Sequence, residues 1–183
     1  YGWTDETDAM NMTLEEDDVI LSVSTRSDDE VRRISDNNAF LEFIIKDSDY
    51  GIYPSGVDGM IYVSTHYNDY SVNLSCNSID GNCSVYYDPS CDSLTGPQEW
   101  VGGVVDVCYK KVNTTATNLT VIGQLNVSII NPLPGSILNR NTTVPLNASV
   151  MDECLNEIND GNVKWYNETY YQIASGYNTT WLV

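Results

Sequence analysis

Basic residues are scarce in this chain. Eight Lys and Arg stand against 26 Asp and Glu, giving a formal net charge of −18 and a pI of about 4.1. Such a chain has no footprint for nucleic acid and no attraction to anionic lipid. Long apolar runs are missing too: none approaches the roughly 20 residues of a membrane-spanning helix. The one histidine, His66, stands without a Cys-x-x-Cys pair, so zinc lacks its usual ligands. There is no nucleophile elbow, no EF-hand spacing and no sustained helical period with caps. No signal peptide opens the chain, and Tyr1-Gly2-Trp3-Thr4 reads as a mature or trimmed start.

What the chain does hold points outside the cell. Asn-x-Ser/Thr sequons occur at Asn11, Asn73, Asn82, Asn113, Asn118, Asn126, Asn141, Asn147, Asn167 and Asn178. Chance predicts about three in a chain of this composition, so the excess marks a secreted, glycan-coated surface. Cys76, Cys83, Cys91 and Cys108 fall within 33 residues. Four cysteines so grouped in a glycosylated chain read as two disulfides, with three pairings open. Nearness, and a turn at Asp80-Gly81, favour Cys76–Cys83 and Cys91–Cys108. The expected localisation is extracellular, at a cell surface.

Hydrophobic residues make up 42% of the chain, enough for packed cores, and 13 Tyr against two Phe suit half-wet sheets. Residues 1–19 read as an acidic arm or linker. Beyond it the chain repeats itself. Ile20-Leu21-Ser22-Val23-Ser24 returns as Gln124-Leu125-Asn126-Val127-Ser128, and Phe40–Asp47 returns as Pro145–Asp152. Gly59-Met60-Ile61-Tyr62 returns as Asn162-Val163-Lys164-Trp165. The offsets are 104, 105 and 103 (125 − 21, 152 − 47 and 165 − 62). Apolar residues alternate in the first two blocks, the period of half-buried strands. Strand-length runs between Gly, Pro, Asn and Asp clusters predict an all-β sandwich or barrel. The first copy covers 20–123 and the second 124–183, which is too short to hold the last strands of the first. Cys154 then lacks a partner in its own copy. Either the missing strands and a cysteine follow Val183, or a neighbouring subunit donates a strand.

Leu125-Asn126-Val127-Ser128-Ile129, Asn131-Pro132, Gly135, Val144-x-Leu146, Val150-x-Asp152 and Val163-x-Trp165-Tyr166 together resemble tandem immunoglobulin-like repeats of large archaeal and bacterial surface proteins. Adhesins, stalk proteins and surface-layer (S-layer) components are of this kind. The resemblance spans residues from about 20 to the end. It implies an all-β fold of tandem immunoglobulin-like β-sandwich domains, the second incomplete. It also implies a non-enzymatic structural role at a cell surface, among further copies of the same module. The alternatives are a filament subunit assembled by strand donation and a carbohydrate- or protein-binding module.

Candidate sites are few. His66 near Asp69 reads as a surface histidine, with no catalytic residues expected. No cofactor is expected, with calcium the one alternative. Its ligands would be Asp28, Asp29, Asp47 and Asp49, because Asp47-Ser48-Asp49 recurs as Asp152-Glu153-Cys154 after the second strand. Tyr86-Tyr87, Tyr166, Tyr170-Tyr171 and Trp165 could form a sugar platform, but alternation assigns them to the core first.

Overall fold

The structure, a computed structural model, describes residues 16–34, 38–66 and 69–183. Among these are thirteen strands and no helix. In chain order they are β1 (Val19–Val23), β2 (Glu30–Arg32), β3 (Ala39–Asp47), β4 (Asp58–Val63), β5 (Val72–Asn77), β6 (Asn82–Tyr87) and β7 (Gly96–Val104). Then follow β8 (Thr117–Ile122), β9 (Leu125–Asn131), β10 (Thr143–Asp152), β11 (Lys164–Tyr166), β12 (Gln172–Ser175) and β13 (Asn178–Leu182). The chain divides into two compact units. The first holds the described residues up to Asp28, with Phe40–Tyr87 and Glu99–Asn118. The second holds Asp29–Ala39, Asp88–Gln98 and Leu119–Val183.

The first unit is a closed sandwich. One sheet has the order β1-β3-β6. In the other, β4 lies between β5 and β7, antiparallel to both. On β3, Leu41, Phe43 and Ile45 alternate into the core, where Ile61, Val63, Trp100 and Val104 are also fully buried. The two layers touch closely enough to require glycine. A Cβ on Gly102 of β7 would collide with the Phe43 ring, and one on Gly59 of β4 would lie 2.9 Å from it. Cys76 and Cys83 are bonded, with Cα atoms 5.5 Å apart, joining β5 in one layer to β6 in the other. Asp80 and Gly81 turn the chain between them with φ of 49° and 77°, the two positive values a tight hairpin needs.

The second unit repeats the first sheet. Its order is β9-β10-β13, with Val144, Leu146, Ala148 and Val150 of the central strand buried in alternation. Facing residues come from β11 and β12, a two-stranded sheet. In the same unit β2 runs parallel to β8. The central strands of the two sheets close in the same way. Asp47 ends β3, and its buried carboxylate accepts the N–H groups of Asp49 (2.9 Å) and Tyr50 (2.8 Å). Asp152 ends β10 and accepts those of Cys154 (2.9 Å) and Asn156 (2.8 Å). This cap gives a fixed point for the repeat. Val19 lies opposite Asp47, and Leu125 opposite Asp152, so the first strands are offset by 125 − 19 = 106 residues. The sequence match of Leu21 with Leu125 is two residues short of this. A slip of two leaves each side chain on its own face, which is why the pattern alone could not detect it.

Candidate functional site

Two features of the second unit stand out, a buried lock and an open groove. The lock is built on Arg33, one of the eight basic residues. Its side chain is buried. Nε–H donates to Glu153 Oε1 at 2.6 Å, one Nη to Asp152 Oδ2 at 3.0 Å, and the other to the Ser93 carbonyl at 2.9 Å. Planar, forked donors suit two adjacent carboxylates in a way a lysine could not. Burial raises the cost of charge on Asp152, but hydrogen bonds from Asn156 and Cys154 and the Arg33 charge outweigh it and hold the carboxyl below its ordinary range. Glu153 behaves alike: burial opposes ionisation, and the Arg33 and Gln124 donors overcome it.

A disulfide lies at the same residues. Cys91 is bonded to Cys154, with Cα atoms 5.7 Å apart and 63 positions between them in sequence. This corrects the expected Cys91–Cys108 pair. Cys108 is an exposed free thiol. Nearness in sequence misled because β7 stands between Cys91 and Cys108. A nine-residue strand carries the chain about 27 Å, whereas bonded cysteines need Cα atoms within about 7 Å. Cys154 is therefore not left without a partner.

The groove lies between the two sheets of the second unit. Three cavities of about 370, 230 and 190 Å³ follow one another along it. The largest is lined by Ile129, Leu146, Trp165, Ile173 and Trp181 among others. The next two share Val127 and Val163, and the row ends at Leu125. Trp165 is half-buried, and its Nε1–H donates to the Gly176 carbonyl at 2.9 Å. Leu125, Val127 and Ile129 are 59%, 57% and 54% exposed, although they alternate as a core strand should.

The calcium quartet does not assemble. Asp28 Oδ2 accepts the N–H of Phe40 at the start of β3, and Asp47 closes that strand at its other end. Seven residues of extended chain put these ends about 24 Å apart. Asp47 and Asp49 instead face Asp17, whose carboxyl is held above its ordinary range by burial, with their charges adding. Asp29 stands next to Asp28, and its carbonyl accepts the Thr120 N–H. Among the described residues no three His, Cys, Asp or Glu side chains gather as metal ligands. His66 is exposed, with Nδ1 3.3 Å from the Thr65 hydroxyl. The tyrosines divide. Tyr87 is core, but Tyr86, Tyr166, Tyr170 and Tyr171 are exposed, against the core assignment of all of them. Among the sequons, Asn73, Asn113, Asn118, Asn126, Asn141 and Asn178 are exposed, and Asn82, Asn147 and Asn167 are half-buried. Asn11 lies outside the described residues.

Sequence reasoning missed Arg33 and the role of Cys91 with Cys154. Two signals were available: an arginine in a chain so short of cations, and a fifth cysteine in the second copy of the repeat.

No protein family matches the chain, and no curated protein matches it. Solved structures similar to it include the following two. One is a tetra-tandem repeat in the extending region of a large adhesion protein, with 17% identity and a TM-score of 0.40. That match covers 91% of this chain and 41% of the other, so the chain spans less than half the length of that structure. The second is a structure of fibronectin(III)-like modules of Clostridium thermocellum CbhA, with 12% identity, a TM-score of 0.33 and coverage of 90% and 79%.

Proposed function

We propose that this chain is a non-enzymatic, load-bearing segment of an extracellular, N-glycosylated surface protein, whose role is to extend or space what it carries. The observation behind this reading is the lock in the second unit. Cys154 lies 63 positions beyond Cys91, and Asp152 and Glu153 lie 119 and 120 beyond Arg33. A covalent bond and two buried ion pairs thus tie segments far apart in sequence into one unit, which resists being drawn out along the chain. Disulfides persist in oxidising surroundings, which suits the extracellular assignment. The accessible sequon asparagines suit a glycan coat. Further copies of such a module are the natural neighbours.

Force spectroscopy with handles at the two ends tests it. In the oxidised chain the 63 positions between Cys91 and Cys154 are withheld from extension. Reductant, which also frees the seven positions from Cys76 to Cys83, should therefore add about 230 Å of contour length, at roughly 3.3 Å per residue. Equal contour lengths with and without reductant would remove the load-bearing reading. A second reading, a carbohydrate-binding module, has one observation in its favour: Tyr166, Tyr170 and Tyr171 are exposed rather than core. Binding of an oligosaccharide in a glycan array, lost in Tyr170→Ala/Tyr171→Ala, would support it.

A further inference from the structure

In the first unit, the layer of β5, β4 and β7 buries one face and turns the other outward. On β4, Ile61 and Val63 are core, and Tyr62 between them points the other way and is half-buried. Its cross-strand neighbours on that outer face are Asn73 of β5 and Val101 of β7. Gly103 follows Val101 on the same face, and the segment 112–114 runs beside it. The Val104 N–H donates to the Val112 carbonyl at 3.0 Å, and the Thr114 N–H to the Gly102 carbonyl at 2.7 Å. The Thr114 hydroxyl accepts the Gly102 N–H at 3.0 Å. Asn113, held between these bonds, lies over Gly103. A Cβ on Gly103 would collide with Asn113 Oδ1 and would lie 3.4 Å from Tyr62 Cε2. Glycine there lets the asparagine and the ring close over the strand side by side.

Asn113, Tyr62, Tyr70 and Val101 line one cavity of about 230 Å³. Tyr70 is fixed at its far end, where its hydroxyl donates to Glu99 Oε2 at 3.0 Å. Asn113 is exposed and heads the sequon Asn113-Thr114-Thr115. Its Oδ1 is the amide atom nearest Gly103, so Nδ2, the atom that carries an N-glycan, stands farther from the strand. We propose that this cavity is the seat of the first sugar of a glycan at Asn113, held with a C–H face of its ring against Tyr62 and Tyr70. The inference rests on the N-glycosylated reading above and gives one glycan a fixed place on the fold. Its chemistry is general to pyranoses. Their C–H groups carry slight positive charge, and the face of an aromatic ring is negative. The sugar is tethered to a backbone already pinned to β7, so its effective concentration is high and little order remains to be imposed. A contact too weak to capture a free sugar can therefore hold a linked one. The glycan at Asn113 then stabilises the first unit as well as coating it.

The test uses the whole chain secreted from a glycosylating eukaryotic host and trimmed by an endoglycosidase to one N-acetylglucosamine at each occupied asparagine. Thr115→Ala removes the sugar and leaves Asn113 in place, and because Thr115 is exposed the variant should fold. Its Tm should fall by about 4 °C, the scale of one aromatic stacking contact in a unit of this size. The same substitution in chain made without glycans should leave Tm nearly unchanged. Tyr62→Val should erase the glycan-dependent difference, and Tyr62→Phe should keep it, which a merely structural role of the ring would not do. In the wild-type glycosylated chain, nuclear Overhauser effects should join the Tyr62 ring protons to the sugar ring, a readout that needs no variant. Glycopeptide mass spectrometry separates the two ways to fail. If every sequon is bare, the N-glycosylated reading falls and this inference with it. If other sequons are occupied and Asn113 is bare, the coat stands and the seat is overturned. The seat is equally overturned if Asn113 carries its sugar, yet Thr115→Ala costs the same with and without the Tyr62 ring and no sugar-to-ring effect is seen.

Discussion

The strands β1 and β9 occupy equivalent places in the two units, pair with equivalent central strands and carry the same alternation of apolar and polar residues. Yet Val19, Leu21 and Val23 are half-buried, and Leu125, Val127 and Ile129 are exposed. Alternation fixes that a segment is a strand and which face is apolar. It does not fix whether that face is covered. Cover comes from the facing layer, and in the first unit Gly102 of β7 lies against Phe43 of β3, the strand beside β1, although β7 starts 73 positions after β1 ends (96 − 23). A residue's burial is thus a non-local property even where its secondary structure is local.

The sharpest way to break this comparison is through the tryptophans. Trp100→Ala empties a fully buried site and should cost the first unit about 3–5 kcal/mol in urea unfolding. Trp165→Ala, in the open unit, removes a half-buried ring and should cost clearly less. Equal costs would show that the second sandwich is as closed as the first.

A smaller effect is expected at Arg33, and it carries a pH signature. Asp152 and Glu153 titrate below their ordinary values of 3.8 and 4.5 in the folded chain. Carboxyls depressed in this way stabilise the fold above their unfolded pKa values and lose that contribution as pH falls through the folded ones. Wild-type Tm should hold at neutral pH and drop below about pH 4. Arg33→Met leaves two carboxylates without their cation, so its Tm should be several degrees lower at pH 7 and should approach wild type in acid. A constant gap across that range would mean that Arg33 acts by packing alone.

The smallest effect separates β1 from β9 directly. Leu21 and Val127 are register equivalents, lying opposite Ile45 and Val150. Leu21→Thr should destabilise by about 1 kcal/mol, and Val127→Thr by no more than about 0.5 kcal/mol. Unfolding midpoints at fixed m-value check both.

Much of this molecule could be read from its sequence, and the unread part has a common cause. The strands at Val19–Val23, Ala39–Asp47, Leu125–Asn131 and Thr143–Asp152 follow local alternation, and Asp80-Gly81 announces its turn. The short disulfide loop from Cys76 to Cys83 follows from that turn. The partners of Arg33 lie 119 and 120 positions away, and Cys91 meets Cys154 across 63. No local rule brings such residues together; only the docking of finished sheets does. The calcium quartet failed for the opposite reason. Asp28 and Asp47 are near in sequence, but β3 holds them at its two ends. The same error, taking nearness in sequence for nearness in space, joined Cys91 to Cys108.

Hydrogen–deuterium exchange on the intact, oxidised chain tests the central contrast most directly. A strand held on both edges and covered on its apolar face exchanges only through larger openings, while an edge strand over an open groove exchanges readily. The amides of β4 should therefore be protected far longer than those of β11, and β3 longer than β9. Protection of Lys164–Tyr166 matching that of Asp58–Val63 would contradict an open second sandwich.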